Sequence, residues 1–596
     1  MPIDPQHLRN IGLSNRELLE INLKRRLDFR HKPELIYPWW RRCAVKVLLV
    51  TDGGLNFGPG DFGLSTFVHV LLNDAPSRVK FDLTLAHLRE GVTDAEVMMG
   101  QPGISKSIKG FRFDEPTHFT PEMYDQIWLF GIATSFGAEY QYRSANQYPA
   151  NRLSDGELSN ISAHMNRGGG VFATGDHGFL GRALCGSLPR VRGMRHWADF
   201  PDSIDENNEV SMGGRRRNDT NRVGHDVGTQ FSDQSDDIPQ LLDLKLYSTY
   251  VSFLRRARYP HPVLCGRTGR IDVLPDHPHE GECRVPGNLN ETFPQDGSVE
   301  YPSSPGGLQI VPEVIAFSHV PAGNTADKAG SKAATIAHSF GAISAYDGHR
   351  AGVGRVICDA TWHHFVNVNL IGVVEGGGFD QFDFLGGDHH PGEHASKHDG
   401  FLSSPYGQGV LDQIKNYYTN IGVWISPPAR QRCFNRFAWW QLVYADRIME
   451  AALIDPDVAL EQIPVSTLLS IGIHARDAFG RRASQCQTIE WLLDWIIDVA
   501  PMLVEWIDPW EPLTQLRLEK EASGPLPMVD PMPLVDVALG AALVAMRQAF
   551  PYPPERMSAR QDEAAFEAAM DGARTGFRRA AREGVHLCQS LTSILA

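Results

Sequence analysis

Apolar positions fall into short unbroken runs in the first two thirds of the chain and into long periodic stretches in the last third. The first run, Val45-Lys46-Val47-Leu48-Leu49-Val50, suits a parallel strand buried on both faces, and it breaks at Thr51-Asp52-Gly53-Gly54. A second glycine-rich loop, Gly58 to Gly63, carries Asp61 and Phe62 and precedes a helical pattern from Leu64 to Asn73. It lacks G-K-[ST], so it is not a P-loop. Phe81 to Ala86 and Tyr124 to Gly131 read as the next strands. Ser154-Asp-Gly-Glu157 fits a capping box opening a helix to about Asn166, which stops at Gly168-Gly169-Gly170. The strand Val171 to Thr174 follows and ends in Gly175-Asp176-His177-Gly178. This alternation predicts an α/β fold with a doubly wound, mainly parallel sheet.

From about 190 to 330 the rhythm breaks. The stretch is rich in Asn, Asp, Gly, Pro and Arg, and reads as a long inserted loop region with one helix over Ile238 to Tyr247. Strand patterns return at Val314 to Phe317, Gly341 to Tyr346 and Arg355 to Ala360, and a closing helix runs from Val410 to Ile425. Beyond it the patterns are helical, divided by proline-rich breaks at 525–533 and 551–554. The expected organisation is a helical arm at 1–43, an α/β domain at 44–428 with its insertion, and an all-α C-terminal domain at 429–596.

Composition adds exclusions. A formal net charge of -15 over 596 residues argues against nucleic acid and anionic membranes as partners. The longest apolar run noted, Trp491 to Trp506, is interrupted by Asp494, Asp498 and Glu505, so no membrane span is expected. The opening Met-Pro-Ile-Asp-Pro has no signal pattern, and the eight scattered cysteines form no C-x-x-C pair. Reduced thiols and a cytoplasmic location are the expectation. In the C-terminal third, Trp439, Trp440, Trp491, Trp495, Trp506 and Trp510 suit either a helical core or a surface for a protein partner or a second copy.

Four clusters pair imidazole with carboxylate: Asp176-His177; Asp276-His277-Pro-His279-Glu280-Gly-Glu282; Asp359-Ala-Thr-Trp-His363-His364; and Asp388-His389-His390 with Glu393, His394 and His398. One reading is acid–base chemistry, with Asp176, His177, His363 and His364 moving protons. On this reading Asp52, Asp61, Phe62, Glu280 and Glu282 bind the substrate. A second reading is a metal site, with His277 and His279 gripping one divalent ion, joined by His177 and His363. The bland readings are that Asp176 caps the following helix, that His363 and His364 cap backbone carbonyls, that the cluster at 276–282 is a loop held by its own hydrogen bonds, and that the cluster at 387–398 is a solvated surface.

The order of these pieces resembles the ThuA-like family, within the class I glutamine-amidotransferase-like, flavodoxin-like superfamily. The features that carry the likeness are the opening strand and glycine loop (Val45 to Gly63), the Gly-Gly-Gly-Val-Phe-Ala-Thr-Gly-Asp-His stretch, the late Gly354-Arg-Val-Ile-Cys-Asp-Ala-Thr-Trp-His-His, and the closing helix from Ile414 to Trp424. The resemblance implies a flavodoxin-like fold, a carbohydrate-like or other polar small-molecule substrate, hydrolysis or elimination, and in some members a metal such as zinc, manganese or iron. It departs from a glutaminase, because Asp176 and His177 stand where that enzyme has its cysteine and Cys185 comes later. The alternative function is a non-catalytic ligand-binding or assembly scaffold.

Overall fold

The computed structural model describes residues 42–595 except 53, 77, 134, 137–151, 177–179, 198–239, 253–254, 268, 276–281, 321–337, 373–399, 404, 446–457, 483–498, 500–531 and 551–557. The arm expected at 1–43 thus lies almost wholly outside the described residues.

A nine-stranded sheet organises the first part of the chain. Its parallel strands are β1 (Cys43–Thr51), β2 (Val79–His87), β3 (Ile104–Lys109), β4 (Gln126–Phe130), β5 (Gly170–Ala173) and β13 (Val356–Asp359). Beyond β13 the pairing turns antiparallel through β12 (His338–Tyr346), β11 (Glu313–Val320) and β7 (Asp243–Leu244), giving the order β3-β2-β1-β4-β5-β13-β12-β11-β7. The run β2-β1-β4-β5-β13 has the doubly wound order, with its switch point between β1 and β4. The sheet is therefore the α/β fold expected, with an antiparallel flank. β3 escaped the sequence reading. It is a short edge strand whose Lys106 and Lys109 blunt further pairing.

Alternation along β1 divides the core into two layers. Val45, Val47 and Leu49 pack with α1 (Ser65–Asn73) and the long helix Pro405–Trp424, while Leu48 and Val50 pack with α2 (Asp155–Asn166), α3 (Arg182–Cys185) and α4 (Val191–Met194). The capping box forms as expected: the Ser154 side chain accepts from the Glu157 N–H, and Glu157 reaches back to the Ser154 N–H at 3.2 Å.

One expectation is overturned. Of the helix expected over 238–247, the described residues 240–247 form none; Gln240–Leu241 is β6, Asp243–Leu244 is β7, and Leu246–Ser252 is β8, which pairs with β9 (Arg255–Pro260). The period of Leu242-Asp243-Leu244-Lys245-Leu246 is two, not 3.6, and strand pairing follows it. The insertion is thus partly sheet edge. It also supplies β10 (Val273–Leu274), which pairs with β6.

After α5 (Asn367–Ile371) and α6 (Pro405–Trp424), the helix α7 (Pro428–Ala445) belongs to both parts of the molecule. Phe434 joins the core of the sheet, while Phe437, Trp439 and Trp440 join a second core with α8 (Val465–Arg482), α9 (Met532–Ala549) and α10 (Ala559–Leu595). The helical C-terminal region is as expected, and Trp439 and Trp440 are core residues; the other four tryptophans named lie outside the described residues. Among the described residues α9 alone is long and apolar enough to cross a membrane, a run the sequence reading overlooked. It is mostly buried, and its Asp536 is gripped by Arg476 at 2.9 and 3.0 Å.

The cysteines also depart from expectation. Cys43 and Cys433 form a disulfide that ties the start of β1 to α7, and Cys265 is disulfide-bonded too. Cys185, Cys283 and Cys358 are buried free thiols and Cys588 an exposed one. Scattered spacing therefore did not mean reduced thiols, because folding brings together residues 390 positions apart.

Candidate functional site

Two strand-end turns meet at the carboxyl edge of the sheet, where open α/β sheets collect ligands. The turn after β13 is self-capped: the Thr361 N–H donates to Asp359 Oδ1 at 3.2 Å, and the His363 N–H donates to Thr361 Oγ1 at 3.0 Å. The Trp362 N–H then donates to the Gly175 carbonyl at 3.0 Å, which pins this turn to the one after β5. As a result His363 Nε2 lies 3.4 Å from Asp176 Oδ2, with side-chain exposures of 8% and 3%. The indole of Trp362 stacks on the His363 ring at 3.9 Å between centroids. The next described helix, α3, is preceded by Gly181, which has no side chain to cap it.

Arg195 ties the junction together. This fully buried guanidinium donates through one terminal nitrogen to the carbonyls of Asp176 and Ala360, and lies 4.4 Å over the Trp197 ring. Close backbone approach makes this possible. A Cβ on Gly181, whose φ is +85°, would lie 2.6 Å from the Gly131 carbonyl and 2.9 Å from Gly175 Cα. The ends of β4 and β5 are thus locked together by glycine contacts.

His364 was expected beside His363, and the structure separates them. Its Nδ1 lies 2.8 and 3.0 Å from the two oxygens of Asp359, and both side chains have zero exposure. Tyr417 donates its hydroxyl to Asp359 at 2.8 Å, and Tyr418 donates to the His364 carbonyl. A ring so enclosed has no route to a substrate. The structure thus places His364 in the core with Asp359 and does not bring it to Asp176.

The glycine loop comes to the same edge. Asn367 donates to the carbonyls of Gly58 and Gly60 and accepts from the Thr66 N–H, so it holds the loop and starts α1 together. Phe62 meets the edge of Trp362 at 5.8 Å, and Asp61 is buried beside it in the chain. Asp52 fills the switch point: its Oδ2 accepts the N–H groups of Ile132 and Ala133, both at 2.6 Å. Burial is the main influence on it and raises its pKa to about 6, against the downward pull of those amides. The structure thus places Asp52 at the switch point, with its carboxylate accepting from backbone N–H groups. From the insertion, the Glu282 carbonyl accepts from the His196 N–H at 2.8 Å, next to Arg195.

His177, Asp276, His277, His279 and Glu280 lie outside the described residues, as does the cluster at 388–398. Among the described residues no three His, Cys, Asp or Glu side chains converge as a metal site would require. Asp176 and His363 alone offer one carboxylate and one imidazole.

Known proteins add no identification. The chain matches no family model, no curated protein and no solved structure. Its functional reading therefore rests on the geometry of this edge. Sequence reasoning missed Arg195, Trp197 and Trp362. The first two sit in an irregular stretch with no motif, and Trp362 stood inside a quoted motif, where its indole reads as core.

Proposed function

We propose that this chain is a hydrolase or lyase acting on a carbohydrate-like or other polar small molecule, in the manner that its likeness to ThuA-like proteins implies. The observation that carries the reading is the buried approach of Asp176 and His363 from two different strand ends. On this reading the His363 imidazole is the group that exchanges a proton with the substrate. Asp176 fixes the tautomer and stabilises the imidazolium formed when His363 acts as base. Trp362 holds the ring flat and, with Phe62, shields that face from water. A divalent ion held with His277 and His279 is the metal-assisted form of the same proposal, and no step is routed through it here.

The test is turnover of a panel of keto-sugars and sugar lactones by the full chain and by His363→Gln. A pH-dependent activity lost in the variant supports the proposal. Full activity in the variant overturns it.

One observation favours the second reading, an assembly scaffold. The last turns of α10 expose Leu587, Leu591 and Ile594 at 60%, 50% and 77%, along a stretch from 584 to 595 that carries no Asp, Glu, Lys or Arg. Such a face suits a second copy of this chain. Truncation after residue 583 is then expected to lower the mass in solution to that of a monomer.

A further inference from the structure

We infer that the junction behind Asp176 and His363 is an oxyanion subsite built from Arg195, Trp197 and Trp362, so that the molecule held at this edge carries a carboxylate or a phosphate. The inference rests on the preceding reading of this edge as the place where a polar small molecule is held, and it names that molecule's class.

Three buried donors stand unsatisfied there. Among the described residues, Arg195 Nε, Trp197 Nε1 and Trp362 Nε1 have no hydrogen-bond partner. Guanidinium and indole N–H groups donate and never accept, so only an acceptor can complete them, and a buried donor left alone is costly. They belong to one junction. Arg195 spans the carbonyls of Asp176 and Ala360, the two turns that carry the acid–base pair. Trp362 is fixed to Gly175 by its backbone. A Cβ on Gly175 would lie 2.8 Å from Arg195 Nη1 and 2.8 Å from Trp197 Nε1, so both groups converge on this glycine.

Charge points the same way. Among the described residues, the ionisable groups that act most on Arg195 are Asp176 and the thiols of Cys185, Cys283 and Cys358. Burial keeps these thiols protonated, with Cys283 pushed up to about 12. Asp176 thus faces both Arg195 and His363, and an oxyanion held here gains the charge of the guanidinium.

The experiment compares glucuronate, glucose 6-phosphate and glucose as probes, by calorimetric titration of the full chain. At least tenfold tighter binding of either acid than of glucose is expected, and the acid that leads distinguishes carboxylate from phosphate. Trp197→Phe and Trp362→Phe keep an aromatic six-membered ring and delete the N–H groups; each is expected to weaken the acid about tenfold, and Trp197→Phe to leave glucose unchanged. Glucose binding as well as both acids, absence of binding by either acid, or variants that bind the acid like the wild type would each overturn the subsite. The wild-type comparison stands even where a variant fails to fold. Loss of acid selectivity with His363-dependent turnover intact sinks the subsite alone; a fully active His363→Gln sinks the catalytic reading alone.

Discussion

His363 and His364 are neighbours in sequence, yet each takes an aspartate in a different layer of the molecule. His364 and Asp359 have no exposed side-chain surface, and Asp359 also accepts from Tyr417 and from the Thr361 backbone. His363 and Asp176 sit 3.4 Å apart at the sheet edge, with residual exposure and an aromatic lid. Identical chemistry thus serves packing in one pair and is open to reaction in the other. Saturation of the carboxylate separates them: a fully hydrogen-bonded aspartate in the core has nothing left to offer a substrate.

The contrast can be broken most sharply through activity. His363→Gln is expected to lower turnover by about 10²- to 10⁴-fold while the melting temperature stays nearly unchanged. His364→Ala is expected to do the reverse, costing about 3–5 kcal/mol in a urea-unfolding measurement because it leaves Asp359 buried without its partner. Equal losses of stability in the two variants would erase the distinction drawn here.

A third aspartate sharpens it. Asp52 accepts from backbone amides, and in the folded chain it takes up its proton near pH 6, against 3.8 for the ordinary group. Between those values the native state binds more protons than the unfolded one, so this residue makes stability rise as pH falls from 7 toward 4. Asp52→Asn is expected to remove that rise, worth at most about 3 kcal/mol. Unfolding at pH 7.5 and pH 5 measures it, and an identical pH dependence in both proteins would refute the burial argument. The smallest effect expected is that of Tyr417→Phe, about 1–2 kcal/mol for one hydrogen bond to a buried carboxylate, with turnover unaltered.

The framework was legible where one local rule sufficed. The apolar run at Val45 to Val50 announced a strand buried on both faces, and Ser154 with Glu157 announced a helix start. Residues 238–247 misled because a leucine-rich stretch was read by composition rather than by period. The site was half legible. Asp176 and His363 stood out by residue type, but nothing local tells His363 from His364, since their difference lies in Tyr417 and Tyr418 on a distant helix. Arg195 and Trp197 were invisible because their roles depend on carbonyls of turns remote in the chain. Cys43 and Cys433 could not be paired by spacing for the same reason.

That cystine closes a ring of covalent bonds around the whole nine-stranded sheet, with Asp176 and His363 inside it. A protease that cuts one loop inside the ring releases no fragment until a reductant opens the clasp. It also sets one order of events at the ribosome, since the ring cannot shut until Cys433 in α7 has emerged.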